Sequence, residues 1–200
     1  GFETYQRILS EAMAELRESE HIDISPEEKV KPKLPDEKGK KIYVSDFQID
    51  TDLEIMFPDE YVSNISERIR LYKELNEIDN EDSLRQYENK LIDRFGPIPP
   101  PAAALLDIVR IKWIAIRLGI EKILLKNNTM ITNFVSDPSS SFYRSSLFVS
   151  IMNYVNHHQK RMSVKQKESK LSLTIADIGS VKAAIEVLDN ISMEAGERSD

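Results

Sequence analysis

Few residues in this chain are of a type and spacing that could do chemistry. There is no cysteine, which excludes disulfides, thiolate zinc sites and cysteine nucleophiles. Of the three histidines, His21 sits in a proline- and lysine-rich stretch, while His157 and His158 are neighbours. Adjacent residues on a helix point about 100° apart, so that pair does not converge on a metal and instead suits a helix C-terminus, where cations complement the dipole. Ser139, Ser140, Ser141, Ser145 and Ser146 lack a G-x-S-x-G elbow and a histidine–acid pair beside them; capping accounts for them. The six glycines form neither GxGxxG nor GxxxxGK[ST], the arrangements in which backbone closely approaches a phosphate, and nucleotide hydrolysis is not expected.

Acidic groups are plentiful but patterned for solvent. Asp50, Asp52 and Glu54 alternate with Ile49, Leu53 and Ile55, as the exposed side of a strand would, and Glu81-Asp82 sits at a helix start. A hydrolase or nuclease built on them with magnesium would need three carboxylates converging within about 4–5 Å of one point. Trp113, Tyr87 and Phe95 lie on apolar stripes without interleaved cations, which favours core packing over base stacking. Lys160, Arg161, Lys165, Lys167 and Lys170 form a locally basic segment able to touch a phosphate backbone.

Whatever these residues do, the elements must be supplied by 200 residues with 40% hydrophobic and 30% charged content, enough for a single globular core. A formal charge of −7 disfavours direct nucleic-acid binding, which normally relies on a basic excess, and suits solubility or a basic protein partner. No apolar run reaches the roughly 18–20 residues of a spanning helix, and no leader pattern opens the chain. A cytoplasmic location is expected. The chain begins with Gly1 rather than methionine and runs directly into a helical pattern, so it reads as part of a longer protein.

Phe2, Tyr5, Ile8, Leu9, Ala12, Met13 and Leu16 recur at helical spacing, giving a connecting helix over residues 1–18. Residues 19–41 lose periodicity among Pro26, Pro32, Pro35 and Gly39 and read as a mobile linker; the domain proper is residues 42–200. Within it, period-two patterning from Lys41 to Phe57 indicates strands, ended by Pro58-Asp59. A helix carrying Ile65, Ile69, Leu71, Tyr72, Leu75 and Ile78 follows, with Arg70/Glu74 and Lys73/Glu77 as ion pairs along it. The next begins after Asp79-Asn80, carries Leu84, Tyr87, Leu91 and Phe95, and stops at Gly96-Pro97. A third starts in Pro99-Pro100-Pro101 and ends before Gly119. Two strands around Asn127-Asn128, a helix over Phe142 to Val155, strands from Arg161 to Ile175 around Lys167-Glu168-Ser169, and a last helix from Ser180 that frays after Met193 complete an α+β fold: a helical hairpin plus further helices packed on short antiparallel strands, without βαβ units.

Arg68-Ile69-Arg70-Leu71-Tyr72-Lys73-Glu74-Leu75, Leu91-Ile92-Asp93-Arg94-Phe95-Gly96-Pro97-Ile98-Pro99, Leu105-Leu106-Asp107-Ile108 and Arg117-Leu118-Gly119-Ile120 resemble the C-terminal domain of the bacterial transcription-repair coupling factors. Pro58-Asp59-Glu60-Tyr61-Val62 matches the family's entry into the helical pair, and Gly1-Phe2-Glu3-Thr4-Tyr5 resembles the end of its motor.

The resemblance implies a non-catalytic regulatory module of an ATP-dependent DNA translocase that acts in transcription-coupled nucleotide excision repair. In that family the module folds back on an N-terminal UvrB-like module of the same chain and masks the surface that binds UvrA. RNA polymerase and damaged DNA are reached through the parent, and ATP and magnesium belong to its motor, so no cofactor is expected here. The implied partner-binding residues lie on the LIDRFG helix: Asp93 as an anion pairing with an arginine, together with Arg94, Lys90 and Glu88. Lys90 is a cation where many relatives carry an acid. An interaction domain for RNA polymerase or another repair protein is the alternative reading.

Overall fold

The computed structural model describes residues 3–4 and 41–197. Most of the expected connecting helix and linker lies outside these. Glu3–Thr4, expected to open that helix, are instead a short strand, β1, paired antiparallel with β2 (Gln48–Thr51).

The expected strand region is shorter than its alternation suggested. Only Gln48–Thr51 joins the sheet, although Val44, Phe47, Ile55 and Phe57 are also buried. These residues enter the core from irregular backbone, which satisfies a period-two burial pattern without a ladder.

Helix α1 (Ile65–Glu77) is capped by Asn64 accepting from the Glu67 N–H, and α2 (Glu81–Phe95) by Asn80 accepting from the Ser83 N–H. Gly96 ends α2 at φ +86°, a conformation that costs glycine little. Helix α3 (Pro100–Arg117) has proline in its first turn, where the missing donor is no loss. Tyrosine hydroxyls tie the hairpin together: Tyr87 donates to the Leu71 carbonyl at 2.7 Å, and Tyr61 to those of Leu91 at 3.2 Å and Gly96 at 2.9 Å.

Strands β3 (Ile120–Lys126) and β4 (Thr129–Phe134) are joined by Asn127-Asn128, both at positive φ (50° and 61°), as a two-residue hairpin turn requires. A 3-10 turn (Ser141–Arg144) precedes α4 (Ser146–His157), so the expected helix begins four residues late and Phe142 belongs to the turn. The ring of Phe142 is fully buried under Gly119, whose φ is +73°; a Cβ there would meet the ring at 2.3 Å. Strands β5 (Met162–Lys167) and β6 (Lys170–Ala176) precede α5 (Val181–Glu197). That helix continues past Met193, because Ala195 is buried and anchors another turn.

Among the described residues the strands form one sheet in the order β1-β2-β3-β4-β6-β5. Its α+β class is as expected, with one difference: β2 and β3 are parallel, Ile49 beside Ile123, and α1, α2 and α3 form the crossover between them. Local periodicity carries no information on strand direction. Ile49, Ile123, Leu125, Met130, Phe134, Leu173 and Ile175 share a core with the inner sides of the helices.

Candidate interaction surface

The residues implied by the resemblance lie on α2, whose Leu84, Tyr87 and Leu91 are buried and fix its rotation. That rotation separates the four. Asp93 and Ile92 lie exposed, Ile92 at 43%. Lys90 and Arg94 lean toward α1, where Lys90 meets Glu74 at 3.5 Å and Arg94 pairs with Glu67. The Arg94 guanidinium also lies 5.1 Å from the Phe95 ring centre. A cleft of about 170 Å³ runs between the two helices there, lined by Leu71, Glu74, Tyr87, Lys90 and Asp93 among others. Glu88 is half-buried and, five residues from Asp93, points about 140° away from it. Asp93, Lys90 and Arg94 therefore rim one patch, and Glu88 lies on a different side.

The ion pairs of α1 differ from the expected ones. Glu74 reaches across to Lys90 rather than along the helix to Arg70, because tertiary neighbours compete with four-residue spacing that contributes only about 0.2–0.5 kcal/mol. Among the described residues the Asp93 side chain makes no ion pair or hydrogen bond.

On the opposite flank of α2 is a network that sequence reasoning missed. Arg110 of α3 donates from Nε to Glu81 Oε1 (3.2 Å) and Oε2 (3.1 Å), from Nη2 to Oε1 (2.8 Å), and from Nη1 to Asp107 Oδ1 (2.8 Å). The Asp107/Arg110 spacing was the only available signal; the link to Glu81 spans the hairpin. Hydrogen bonding from Arg110 holds the Glu81 carboxyl below its ordinary range, and Glu81 in turn raises Arg110. Beside them a cleft of about 320 Å³ is lined by Glu81, Arg110, Trp113, Arg117, Ile185 and Asp189, among others. Burial pushes the Asp189 carboxyl up, with Arg117 opposing and Glu81 adding to the rise. Trp113 is buried at its floor, as its apolar stripe implied.

His157 and His158 face the carbonyls of Asn153 (2.6 Å) and Tyr154 (2.7 Å) through Nδ1, the helix-end arrangement that their spacing suggested. Among the described residues no group of three His, Asp or Glu side chains could hold a metal ion, and no helix is long and apolar enough to cross a membrane.

Residues 51–145 match the family model of the TRCF domain. The transcription-repair-coupling factor of Staphylococcus epidermidis is 31% identical over 130 residues, covering 65% of this chain and 10% of its own length. That of Rickettsia conorii is 23% identical over 193 residues, covering 96% of this chain and 15% of its own length, and that of Escherichia coli is 28% identical over 123 residues, 62% and 9%. The chain thus spans only about 9–15% of the curated relatives it matches. In fold it is similar to a crystal structure of the C-terminal domain of transcription-repair coupling factor, with a TM-score of 0.61 and 19% identity over 76% of this chain and 96% of that one.

Proposed function

From a chain that carries a TRCF domain over residues 51–145 and the fold of the C-terminal domain of a transcription-repair coupling factor, we propose a non-catalytic regulatory role within a DNA translocase. The domain docks on the UvrB-like module of the same parent chain and masks its UvrA-binding surface until the parent engages RNA polymerase. The observation that carries this reading is the rim of the α1–α2 cleft, where Asp93, its side chain unpaired among the described residues, lies with Lys90 and Arg94, and the exposed Ile92 stands about 100° round the helix from it.

This combination fits a releasable contact. An apolar side chain supplies area, and a free carboxylate supplies direction toward a guanidinium, the cation best shaped to bind it in two places. The inner side of α2 is already fixed in the core, so docking does not require the helix to reorganise. A tethered contact benefits from an effective concentration on the order of millimolar, so a small polar interface holds the closed state and still opens when a competing partner arrives.

The test is calorimetry of this domain with the isolated UvrB-like module of its own parent, at low and moderate salt. Salt-sensitive binding that weakens at least tenfold in Asp93→Ala is expected; a single tenfold step corresponds to about 1.4 kcal/mol. Affinity indifferent to salt, or unchanged in Asp93→Ala, would remove α2 as the docking surface.

A further inference from the structure

The basic segment from Lys160 to Lys170 has no part in the surface on α2. It forms the β5–β6 hairpin, at the far end of the sheet. β5 is the terminal strand there, with no neighbour on its outer side among the described residues.

Which backbone groups this edge offers follows from the ladder. Ala176 donates to the Arg161 carbonyl at 3.0 Å, and β5 and β6 pair in the register Ser163 to Thr174, Lys165 to Ser172 and Lys167 to Lys170. Bonded and non-bonded pairs alternate in an antiparallel ladder, so Ser163, Lys165 and Lys167 bond inward to β6. Met162, Val164 and Gln166 turn their backbone outward. The Met162 N–H is already donated to the His158 carbonyl at 3.0 Å. Val164 and Gln166 remain, each with an outward donor and acceptor.

Side chains alternate across the same strand. Met162 is buried and lies opposite Ile175, and Val164 lies opposite buried Leu173, still 39% exposed. This side continues the core. Lys165 and Lys167 project from the other side together with Lys170 and are exposed; none of the three is in an ion pair among the described residues. The segment 160–170 carries five cations against the single anion Glu168, within a chain of net charge −7.

Two local costs coincide at its tip. Lys167 and Lys170 are directly opposed, a like-charge pairing that destabilises a hairpin, and Glu168 occupies φ +59°, where non-glycine residues are uncommon. Lysine on an edge strand repels an identical edge, which argues against a second copy as the occupant. The same charges make an acidic strand the complementary one.

We propose that the outer edge of β5 is a strand-addition site for an extended acidic segment of a partner protein, one that alternates carboxylate with apolar side chains. Main-chain hydrogen bonds to Val164 and Gln166 supply the pairing. Lys165 and Lys167 receive the carboxylates on one side of the sheet, and Val164 the apolar side chains on the other. A nucleic-acid strand would use the lysines and ignore both the outward backbone and Val164, so the observations favour the peptide.

The test is a titration of the isotopically labelled protein with a short capped peptide alternating glutamate and valine, followed by amide chemical shifts. Shifts concentrated at residues 162–167 are expected. Val164→Pro deletes an outward N–H and leaves the β5–β6 bonds in place, so it should weaken binding at least tenfold while the protein still unfolds in one cooperative transition. A Lys165→Glu, Lys167→Glu double variant provides a second check that does not alter the backbone and should weaken binding by a similar factor. Shifts located elsewhere, no shifts at millimolar peptide, or affinity preserved in Val164→Pro would overturn the proposal. So would preferential binding of a single-stranded oligonucleotide over the peptide.

Discussion

Asp93 and Glu81 are carboxylates on one helix with opposite circumstances. Arg110 already holds Glu81, whereas Asp93 faces solvent, so their losses should register in different experiments. Asp93→Ala should leave the melting temperature within about 1–2 °C, because exposed charges contribute little to folding, while reducing the affinity proposed for a UvrB-like module. Asp189 offers a pH test. Although the residue is exposed overall, partial burial beside the cleft raises its carboxyl above the ordinary 3.8, so between that value and the raised one the folded state keeps a proton more readily than the unfolded state. Stability is therefore lost as pH rises through the folded pKa. Asp189→Asn should be more stable than wild type at neutral pH, and the difference should vanish below about pH 3.8, the ordinary value; thermal melts across that range check it. Gly119 gives the steepest expected loss. Alanine there places a methyl group 2.3 Å from the Phe142 ring at φ +73°, combining overpacking with left-handed backbone, and should cost about 3 kcal/mol, a melting decrease near 10 °C.

At the level of elements, the α1–α2–α3 unit was the most legible in the sequence. Asn80, Gly96 and Pro100 each act through backbone chemistry that a local pattern reports: a side-chain acceptor, a permitted positive φ and a dispensable N–H. Asn80→Ala should cost about 1 kcal/mol, read from the thermal midpoint, with the loss falling on the start of α2. The Asn127-Asn128 turn was legible for the same reason. Less so were the strand region before Phe57 and the start of α4. Phe47, Ile55 and Phe57 keep a two-residue spacing of buried positions without pairing, and Phe142 reports only that it is buried, because hydrophobic periodicity records which side chains leave water and not which backbone groups bond. The surface proposed on α2 rests on the LIDRFG string alone, and helical rotation, which a string does not display, turns Glu88 away from Asp93. The Glu81–Arg110 link was missed because it joins residues 29 positions apart, a distance at which one sequence carries no pairing signal.

Across the whole molecule, the stretch that matches the TRCF family model is not a folding unit. Residues 51–145 begin on the last residue of β2 and stop before α4, omitting β5, β6 and α5, so Met130 and Thr132 would lose the strand beside them. A protein cut to those residues should show helical signal without a cooperative melt, whereas residues 41–197 together should unfold in one transition; calorimetry distinguishes the two. The parallel pairing of β2 with β3 also bears on synthesis. Three helices separate the partners, so β2 leaves the ribosome long before β3 exists, and it must wait with Ile49 exposed until the helical hairpin has formed and brought the ends together. Closing so long a span is slow compared with forming the helices. The sheet is therefore the late event in the life of each newly made chain, and β2 is the segment that a chaperone has most reason to hold.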